Sequence, residues 1–329
     1  MLINIEAVSS LAGRECLPEE MDCKIVVFVH VFHPEVWVEM ADMLAKSMDR
    51  PFSIVMTCPD PSVDLAVPES PYLVSWTRLN VENRGRDVLP FLRAFRQVGG
   101  RYEIGLKLHT KRSLHRGDGD AWRRFILESL LQVDAEGLAA PNLFDRFEPV
   151  GLVAPRYHLM PLANRMVLNR KNLRAIMAAT GSRIRLSELQ RRHFVAGTMF
   201  WFRRAALEPF GKPELDELFA PEKGQLDGTA AHAAERLFAH VVGTQGYAAI
   251  AAESFLDLQA GRTLDIDELR AINAQSLKDR DNPFIPSFRP FWSRHPLLFE
   301  AYVLVRSVTF GWLIDAWRSS AHKKQEGRS

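Results

Sequence analysis

The chain has 329 residues, of which 47% are hydrophobic, so it can bury a large core and is not an intrinsically disordered protein. Its 42 basic and 40 acidic residues leave a formal net charge of +2, which argues against the broad electropositive surface that nucleic-acid binding usually needs. Its three cysteines are an odd number and lack metal-ligand spacing, so we expect neither a disulfide framework nor a zinc site. A location in a reducing compartment is the simpler explanation of this cysteine content.

We expect residues 1–22 to form an N-terminal arm ahead of the folded domain. They carry Glu6 and lack both a basic start and an uninterrupted apolar run, so they do not resemble a signal peptide. We therefore expect the protein to stay in the cytoplasm.

Strand and helix patterns alternate over residues 23–260. The run KIVVFVHV is typical of a buried parallel strand, and helical spacing of apolar residues follows it. Strands are expected at residues 24–31, 52–57, 72–79, 102–109, 149–154, 194–202 and 247–252, and helices from residue 34, at 88–98, around residue 122 and at 229–242. This order predicts an α/β domain built on a doubly wound, mainly parallel sheet.

Ligands of such sheets bind beyond the carboxyl ends of the strands. The loops that start at His30, Thr57, Asn80 and His109 are therefore expected to line one crevice.

Residues 261–329 predict a helical C-terminal appendage. Residues 296–317 are rich in Leu, Val, Phe and Trp, but Glu300, Arg306 and Asp315 argue against a membrane-spanning helix. A helix docked on the protein's own body is the favoured interpretation, and a helix lying on an anionic membrane surface is the alternative.

The first candidate binding block is Asn83-Arg84-Gly85-Arg86-Asp87. A glycine here permits a tight turn whose backbone amides face a ligand, and two guanidinium groups suit a diphosphate. Asp87 would cap the following helix or orient one of the arginines. A solvated turn with an Asp cap is the competing interpretation, and for this block alone we favour it.

The second block contains Lys107, His109 and Lys111 at the end of a predicted strand. Strand alternation puts the three side chains on one face. A lysine and a histidine in an apolar strand end cost desolvation energy unless something pairs with them, which favours a binding site over a basic surface hairpin.

The third block lies in residues 227–236. Helical spacing puts His232, Glu235 and Arg236 on one face, where a carboxylate near a histidine suits a general base and Arg236 would hold Glu235. A surface helix with ordinary salt bridges explains the same spacing.

The fourth block is the predicted strand at residues 194–202. Gly197 and Thr198 interrupt its apolar run, which indicates a bulge or a close approach of the backbone to a ligand. We interpret Phe200, Trp201 and Phe202 as core residues.

These blocks, in this order, make the chain resemble the rhamnan synthesis protein F family. The matching pieces are VHVFHPE, NRGRDVLPFL, KLHTKRSLHRGDGDAW, HFVAGTMFWFRR and DGTAAHAAERLF, which fall between residues 24 and 256. Members of the family are associated with rhamnose-containing and other cell-surface polysaccharides, and their pattern is similar to a divergent, Rossmann-like A-type glycosyltransferase. The resemblance implies a hexosyltransferase-like enzyme of O-antigen or related cell-envelope synthesis, with a nucleotide-sugar donor and a glycan or lipid-linked acceptor.

The resemblance also bears on the metal. In A-type enzymes an Asp-x-Asp motif holds a divalent cation, but here that location reads His109-Thr110-Lys111. Nearby cations would replace the metal, so no metal cofactor is expected. Of the Asp-x-Asp triplets elsewhere, the one nearest this loop ends at Asp120, which we interpret as a helix N-cap.

The resemblance places the catalytic base near the helix that follows the 194–202 strand. Asp227 is the first candidate, and Glu235 and His232 accompany it. The donor site is assigned to His30, Thr57, Asn83, Arg84, Gly85, Arg86, Asp87, Lys107, His109, Lys111, Gly197, Thr198 and Arg236.

Two other functions compete with sugar transfer. Because the metal motif is absent, a noncatalytic partner that binds a nucleotide sugar or glycan in polysaccharide assembly is the alternative. A phosphate-ester hydrolase or phosphotransferase would also use the basic cluster, but the sequence has no P-loop or equivalent signature.

Overall fold

The structure is a computed structural model that describes residues 13–110, 118–163, 165–222, 227–258, 264–277, 282–285, 295 and 297–305. The strands in these residues are β1 (Arg14–Glu15), β2 (Ile25–His30), β3 (Phe52–Cys58), β4 (Leu73–Asn80), β5 (Ile104–His109), β6 (Val133–Asp134), β7 (Gly137–Leu138), β8 (Val150–Ala154), β9 (Leu159–Pro161), β10 (His193–Val195), β11 (Phe200–Arg203) and β12 (Ala248–Ala251). The α-helices are α1 (Pro34–Ser47), α2 (Val88–Val98), α3 (Gly119–Leu130), α4 (Ala139–Arg146), α5 (Arg170–Thr180), α6 (Leu186–Leu189), α7 (Ala230–Glu235), α8 (Phe238–Thr244), α9 (Phe255–Leu258) and α10 (Ile266–Ser276). Residues 297–305 are also helical.

An eight-stranded sheet forms the centre of the fold. Its order is β1-β4-β3-β2-β5-β11-β8-β12, and every neighbouring pair is parallel except the two that β11 makes with β5 and β8. The predicted α/β fold with a mainly parallel sheet is therefore confirmed. Short antiparallel pairs, β9 with β10 and β6 with β7, lie outside this sheet.

Apolar side chains cover both faces of the sheet. Along β2, Val26 and Phe28 pack into one core layer and Val27 and Val29 into the other, because successive strand residues point to opposite faces. Helices α2, α5, α7 and α8 complete the first layer, and α1, α3 and α4 complete the second. Coverage of both faces explains why β2 reads as an uninterrupted apolar run, and it confirms the doubly wound arrangement.

The single strand predicted over residues 194–202 is wrong. Gly197, with φ +88°, and Thr198, with φ +52°, separate β10 from β11, and the two strands belong to different sheets. The sequence did show an interruption at Gly197 and Thr198, but it predicted a bulge or a close approach to a ligand within one strand, and the structure has a turn between two strands. The prediction that Phe200, Trp201 and Phe202 are core residues is correct, since all three are fully buried.

The single helix predicted over residues 229–242 is also wrong, because α7 ends at Glu235 and α8 begins at Phe238. Between them, Arg236 and Leu237 form a turn, and their ψ values of −11° and −16° depart from the about −42° of a regular α-helix. The Arg236 guanidinium group also folds back to donate to the His232 carbonyl at 2.7 Å.

The start of α3 differs from the prediction. Asp118 occupies the N-cap position, while Asp120 lies inside the helix, where its carboxylate accepts from Arg123 at 2.7 Å. Asp120 is therefore not the cap. An Asp that does cap is Asp265, whose side chain accepts from two backbone amides at the start of α10.

Further elements of the chain lie at both edges of the sheet. β1, which lies in the predicted N-terminal arm, is one edge strand of the sheet and pairs with β4. At the opposite edge, the Asn273 side chain accepts from the Ala251 amide at 2.9 Å and donates to the Ala249 carbonyl at 3.2 Å, so α10 satisfies the outer backbone groups of β12. None of the helices described here is long and apolar enough to cross a membrane, and residues 306–317 of the predicted surface helix lie outside the described residues.

The close contact between Gly105 and Phe202 gives a stability prediction. The two residues are paired across β5 and β11, and a Cβ at Gly105 would lie 2.1 Å from the Phe202 ring. We expect Gly105→Ala to lower the free energy of unfolding in urea by about 1–3 kcal/mol through overpacking. Gly243→Ala is the matched control, because nothing lies within 4 Å of its added Cβ, and we expect it to raise stability by about 0.5–1 kcal/mol. Similar effects of the two variants would contradict the packing argument.

Candidate functional site

A cleft of about 440 Å³ opens at the carboxyl ends of β2, β4 and β5. Its lining residues lie at the ends of these strands, in the loops that follow them and in one distant segment: His30, Phe32, His33, Asn83, Arg86, Asp87, His109, Thr110 and Glu222. This is the position expected for a ligand site in a parallel sheet. The loop after β3 does not contribute, in contrast to the prediction.

A buried ion pair lies at the base of the cleft. Lys107 is fully buried, and its Nζ lies 2.5 Å from Asp87 Oδ2 and 2.9 Å from the Thr198 carbonyl oxygen. The same Asp87 oxygen accepts from Thr198 Oγ1 at 2.7 Å and lies 3.4 Å from His109 Nδ1. Asp87 therefore connects the β4–α2 loop with β5 and with the turn before β11.

This arrangement corrects the expected role of Asp87. Its carboxylate makes no capping bond to α2, and its partners are Lys107, Thr198 and His109, not an arginine of its own block. Lys107 and His109 reach the same carboxylate, so they share a face of β5 as strand alternation predicts. Lys111, the third cation expected on that face, lies outside the described residues.

The pair remains charged although it is buried. Burial alone would raise the pKa of Asp87, but the charges of His109 and Lys107, with the hydrogen bonds from Lys107 and Thr198, outweigh it and hold that pKa well below its usual range. Burial lowers the pKa of Lys107, and the charge of Asp87 opposes this shift. Each charge thus depends on the other, because a buried ion without its partner is strongly destabilising.

Arg86 is the guanidinium of the first block that lines the cleft. Its Nε lies 3.5 Å from Glu222 Oε2, which comes from the opposite wall. Arg86 has φ +54°, and a residue other than glycine in this left-handed region costs about 1–3 kcal/mol. Strain of this kind concentrates at functional sites, and Thr198, with φ +52°, is a second instance beside the cleft.

Arg84 has a different role from the predicted one. Its Nε donates to the Phe219 carbonyl at 2.6 Å and its Nη2 to the Asp216 carbonyl at 2.9 Å, so it anchors the segment that leads to Glu222 and does not line the cleft. Gly85 also packs on this segment, because an added Cβ would lie 2.7 Å from the Phe219 ring.

His30 lines the cleft, whereas Thr57 lies buried behind it. His30 Nδ1 is 3.0 Å from Thr57 Oγ1. Burial lowers the pKa of His30 to about 4, so its imidazole is neutral at pH 7. Thr57 therefore supports His30 and has no surface on the cleft, although it was predicted as a donor-binding residue.

The predicted catalytic residues form a second cluster next to the first. Asp227 accepts from Asn169 Nδ2 at 2.9 Å and from Arg236 Nη2 at 3.2 Å. Arg236 Nη1 lies 3.7 Å from Glu235 Oε2, so its guanidinium stands between two carboxylates. The other Glu235 oxygen accepts from the Gly197 amide at 2.8 Å. The turn at residues 197–198 thereby joins this cluster to the Asp87–Lys107 pair.

His232 belongs to this cluster, and contacts with two neighbouring side chains restrict the orientation of its ring. Its Nδ1 lies 2.8 Å from Thr229 Oγ1 and 3.8 Å from Asp227 Oδ1. Burial, followed by the positive charge of Arg86, lowers the pKa of His232 to about 4. Arg86, which lines the cleft, is thus one of the charges that lower the pKa of His232.

Phe32, Thr110 and Glu222 line the cleft but were not in the predicted donor site. Phe32 is 47% exposed, and its backbone amide and that of His33 donate to Thr110 Oγ1, both at 2.9 Å. An aromatic residue between two histidines at a strand end was the available signal for Phe32. Glu222 had no such signal, because only the fold brings its segment to the cleft.

The described residues contain no group of three or more His, Cys, Asp or Glu side chains placed to hold a metal ion. The cleft instead joins cationic and aromatic side chains, Arg86, His109 and Phe32, to the half-buried carboxylate of Asp87. Such a surface suits a phosphate-bearing ligand with a planar ring.

The family model described as rhamnan synthesis protein F matches residues 11–247 of the chain.

Two curated sequences from strains of Xanthomonas campestris pv. campestris, each called uncharacterized protein WxcX, are 40% identical to the chain over 182 residues. These residues are 54% of this chain and 25% of each relative. The matched part of the chain thus spans about a quarter of the length of these relatives. Among solved structures, the chain is similar to the mannosyltransferase PcManGT from Pyrobaculum calidifontis, in complex with GDP-Man and Mn²⁺, with 14% identity, a TM-score of 0.36 and coverage of 92% of this chain and 85% of that chain.

The buried pair gives a second stability prediction. We expect Asp87→Asn to lower the free energy of unfolding by about 3–5 kcal/mol, because it leaves the Lys107 ammonium group buried without its anion. The matched control is Asp145→Asn, which removes an exposed partner 2.7 Å from Lys24, and its cost should stay below about 1 kcal/mol. Urea titrations at pH 7 measure both values, and equal losses would contradict the role of burial.

The histidine buried at the cleft gives a pH prediction. The unfolded chain protonates His30 as the pH falls through about 6.5, whereas the folded state takes up that proton only near pH 4. The free energy of unfolding should therefore fall by about 2 kcal/mol between pH 7 and pH 5 through this residue alone. His30→Gln should remove that part of the pH dependence. An unchanged slope in urea titrations of this variant would show that His30 is not buried in its neutral form.

Proposed function

Because the chain belongs to the rhamnan synthesis protein F family, we propose that it is a glycosyltransferase of surface-polysaccharide synthesis. It moves a sugar, rhamnose or another hexose, from a nucleotide-diphosphate donor to a growing polysaccharide or a lipid-linked glycan. The observation that carries this proposal is the cleft, where three parallel strands bring Arg86 and His109 to one opening above the buried Asp87–Lys107 pair.

The donor occupies the cleft in this proposal. Arg86 offers paired N–H donors to the diphosphate, and His109 adds a second polar contact that Asp87 holds in place. Phe32 offers an exposed ring on which the nucleotide base stacks. Lys107 acts from beneath, because it is fully buried, and it keeps Asp87 ionised.

Transfer then needs a base for the acceptor hydroxyl. Asp227 is our candidate, because its side chain remains 32% exposed while Asn169 and Arg236 fix its orientation. As the acceptor oxygen loses its proton to Asp227, it forms a bond to the anomeric carbon. The bond from that carbon to the diphosphate breaks, and the electron pair leaves with the nucleoside diphosphate.

We further propose that the reaction needs no divalent metal. The support is the replacement of an Asp-x-Asp motif by His109-Thr110-Lys111 and the presence of Arg86 in the cleft, since fixed cations stabilise a leaving diphosphate. The reaction would take place in the cytoplasm, where nucleotide sugars are the donors.

The donor site is tested by thermal stabilisation. The full chain is melted with a panel of nucleoside diphosphates and nucleotide sugars, in EDTA and then with Mn²⁺ or Mg²⁺. We expect one nucleotide class to raise the melting temperature in EDTA, because a ligand selective for the native state stabilises it. Arg86→Gln should abolish this effect, whereas Arg101→Gln, an exposed arginine outside the cleft, should not.

Catalysis is tested separately, by transfer of radiolabelled sugar from the stabilising donor to a membrane fraction. Asp227→Asn should reduce transfer by about a hundredfold or more and leave the donor-induced melting shift unchanged. Full stabilisation by a nucleotide sugar with no transfer by the unaltered protein would favour the noncatalytic binding partner. No response to any nucleotide under any metal condition would overturn the donor site.

A further inference from the structure

Positive charge concentrates on α5 and the segment after it. Residues 165–192 contain eight basic residues and one acidic residue, Glu188, although the whole chain has a formal net charge of only +2. Seven of the eight basic side chains, those between residues 170 and 192, are exposed, and we call them the cationic face. The excess of basic over acidic residues in this segment is therefore much larger than in the chain as a whole.

The geometry of α5 directs its charges outward. Arg170, Lys171 and Arg174 lie within about 100° of one another around the helix axis. Leu173 and Ile176 lie on the other side and pack in the core. The four arginines after α5, which are Arg183, Arg185, Arg191 and Arg192, are also exposed.

The 297–305 helix lies beside this face, because Glu300 forms an ion pair with Arg170. Its side chains divide sharply. The inward side carries Phe299, Glu300 and Val303, which are half-buried. The outward side spans about 160° of the helix and is entirely apolar. It consists of Leu297, Leu298, Ala301, Tyr302, Leu304 and Val305, and its five large side chains are 44–79% exposed.

We infer that the cationic face and the apolar side of the 297–305 helix dock together on an anionic lipid bilayer. Arginine and lysine attract anionic headgroups, while leucine, valine and tyrosine side chains enter the interfacial layer. A surface helix normally turns its apolar side inward, so the outward apolar side needs an apolar environment. A nucleic acid or another soluble polyanion would satisfy the charges but not these aliphatic side chains.

The docking surface borders the candidate acceptor site. At the start of α5, Asn169 donates to Asp227 at 2.9 Å and Asn172 donates to the Gly228 carbonyl at 2.8 Å. The same end of α5 carries Arg170 and Lys171, so docking places Asp227 beside the headgroups. A lipid-linked acceptor would present its diphosphate and sugar there. That consequence rests on the proposed function, but bilayer docking itself does not.

Cosedimentation of the full chain with vesicles tests the inference. We expect binding to vesicles of phosphatidylglycerol and phosphatidylcholine, no binding to phosphatidylcholine alone, and weakening as salt rises. The triple variant Lys171→Glu, Arg174→Glu, Arg183→Glu leaves the Arg170–Glu300 pair intact and should lower binding by about tenfold or more. The matched control, Arg14→Glu, Lys46→Glu, Arg101→Glu, changes the net charge equally at exposed positions elsewhere and should bind like the unaltered chain.

A second variant tests the apolar component. Leu297→Ser with Leu304→Ser should reduce the binding that persists at high salt and leave the melting temperature unchanged, since both side chains are exposed.

Several results would overturn the inference. One is a failure of the unaltered chain to bind anionic vesicles. Another is a loss of binding in the control triple variant as large as the loss in the test variant. Binding to heparin without binding to vesicles would assign the face to a soluble polyanion. A dimer that dissociates in the leucine variant would assign the apolar side to a second copy of the chain. These measurements report binding alone, so a failure of sugar transfer would leave the inference standing.

Discussion

The buried ion pair between Asp87 and Lys107 is the constraint on which the site depends. One carboxylate oxygen takes hydrogen bonds from Lys107 and Thr198 and lies beside His109, and these partners come from two parts of the chain, β5 and the turn before β11. Neither charge can be buried without the other, so folding must bring the β4–α2 loop, β5 and the turn before β11 together. A cleft with a charged, rigid base is the result. The cleft residues Arg86 and His109 are then held on a surface that cannot rearrange without exposing or separating the pair.

The turn at residues 197–198 connects the Asp87–Lys107 pair to the second cluster, which contains Asp227, His232, Glu235 and Arg236. Its backbone is strained at Thr198, and contacts on both sides hold it: Lys107 at the Thr198 carbonyl and Glu235 at the Gly197 amide. Glu235 pairs in turn with Arg236, which also orients Asp227. The candidate donor cleft and the candidate acceptor base are thus parts of one continuous polar network. Backbone strain persists at such a position because surrounding bonds over-determine it.

The proposed chemistry and the proposed bilayer contact meet at the first turn of α5. Its asparagines hold the loop that carries Asp227, and its cations begin the cationic face. One short helix therefore determines both where the candidate base lies and which surface it adjoins. This layout is consistent with the proposed transfer of a sugar to a lipid-linked acceptor.

The sequence by itself determined the sheet, because buried parallel strands leave apolar runs such as the one in β2, and it correctly marked Lys107 as a lysine that needs a partner. It did not identify Asp87 as that partner, and it interpreted Gly197 and Thr198 as a bulge or a close approach to a ligand within one strand, although they form the turn between strands of two different sheets. Only the tertiary structure decided that Arg86 faces the cleft while Arg84 turns to the Phe219 carbonyl, and that Glu222 forms the opposite wall. The physical reason is the separation along the chain between the residues that interact. Apolar burial follows local periodicity, whereas the direction of a charged side chain depends on partners that are distant in the chain and adjacent only after folding.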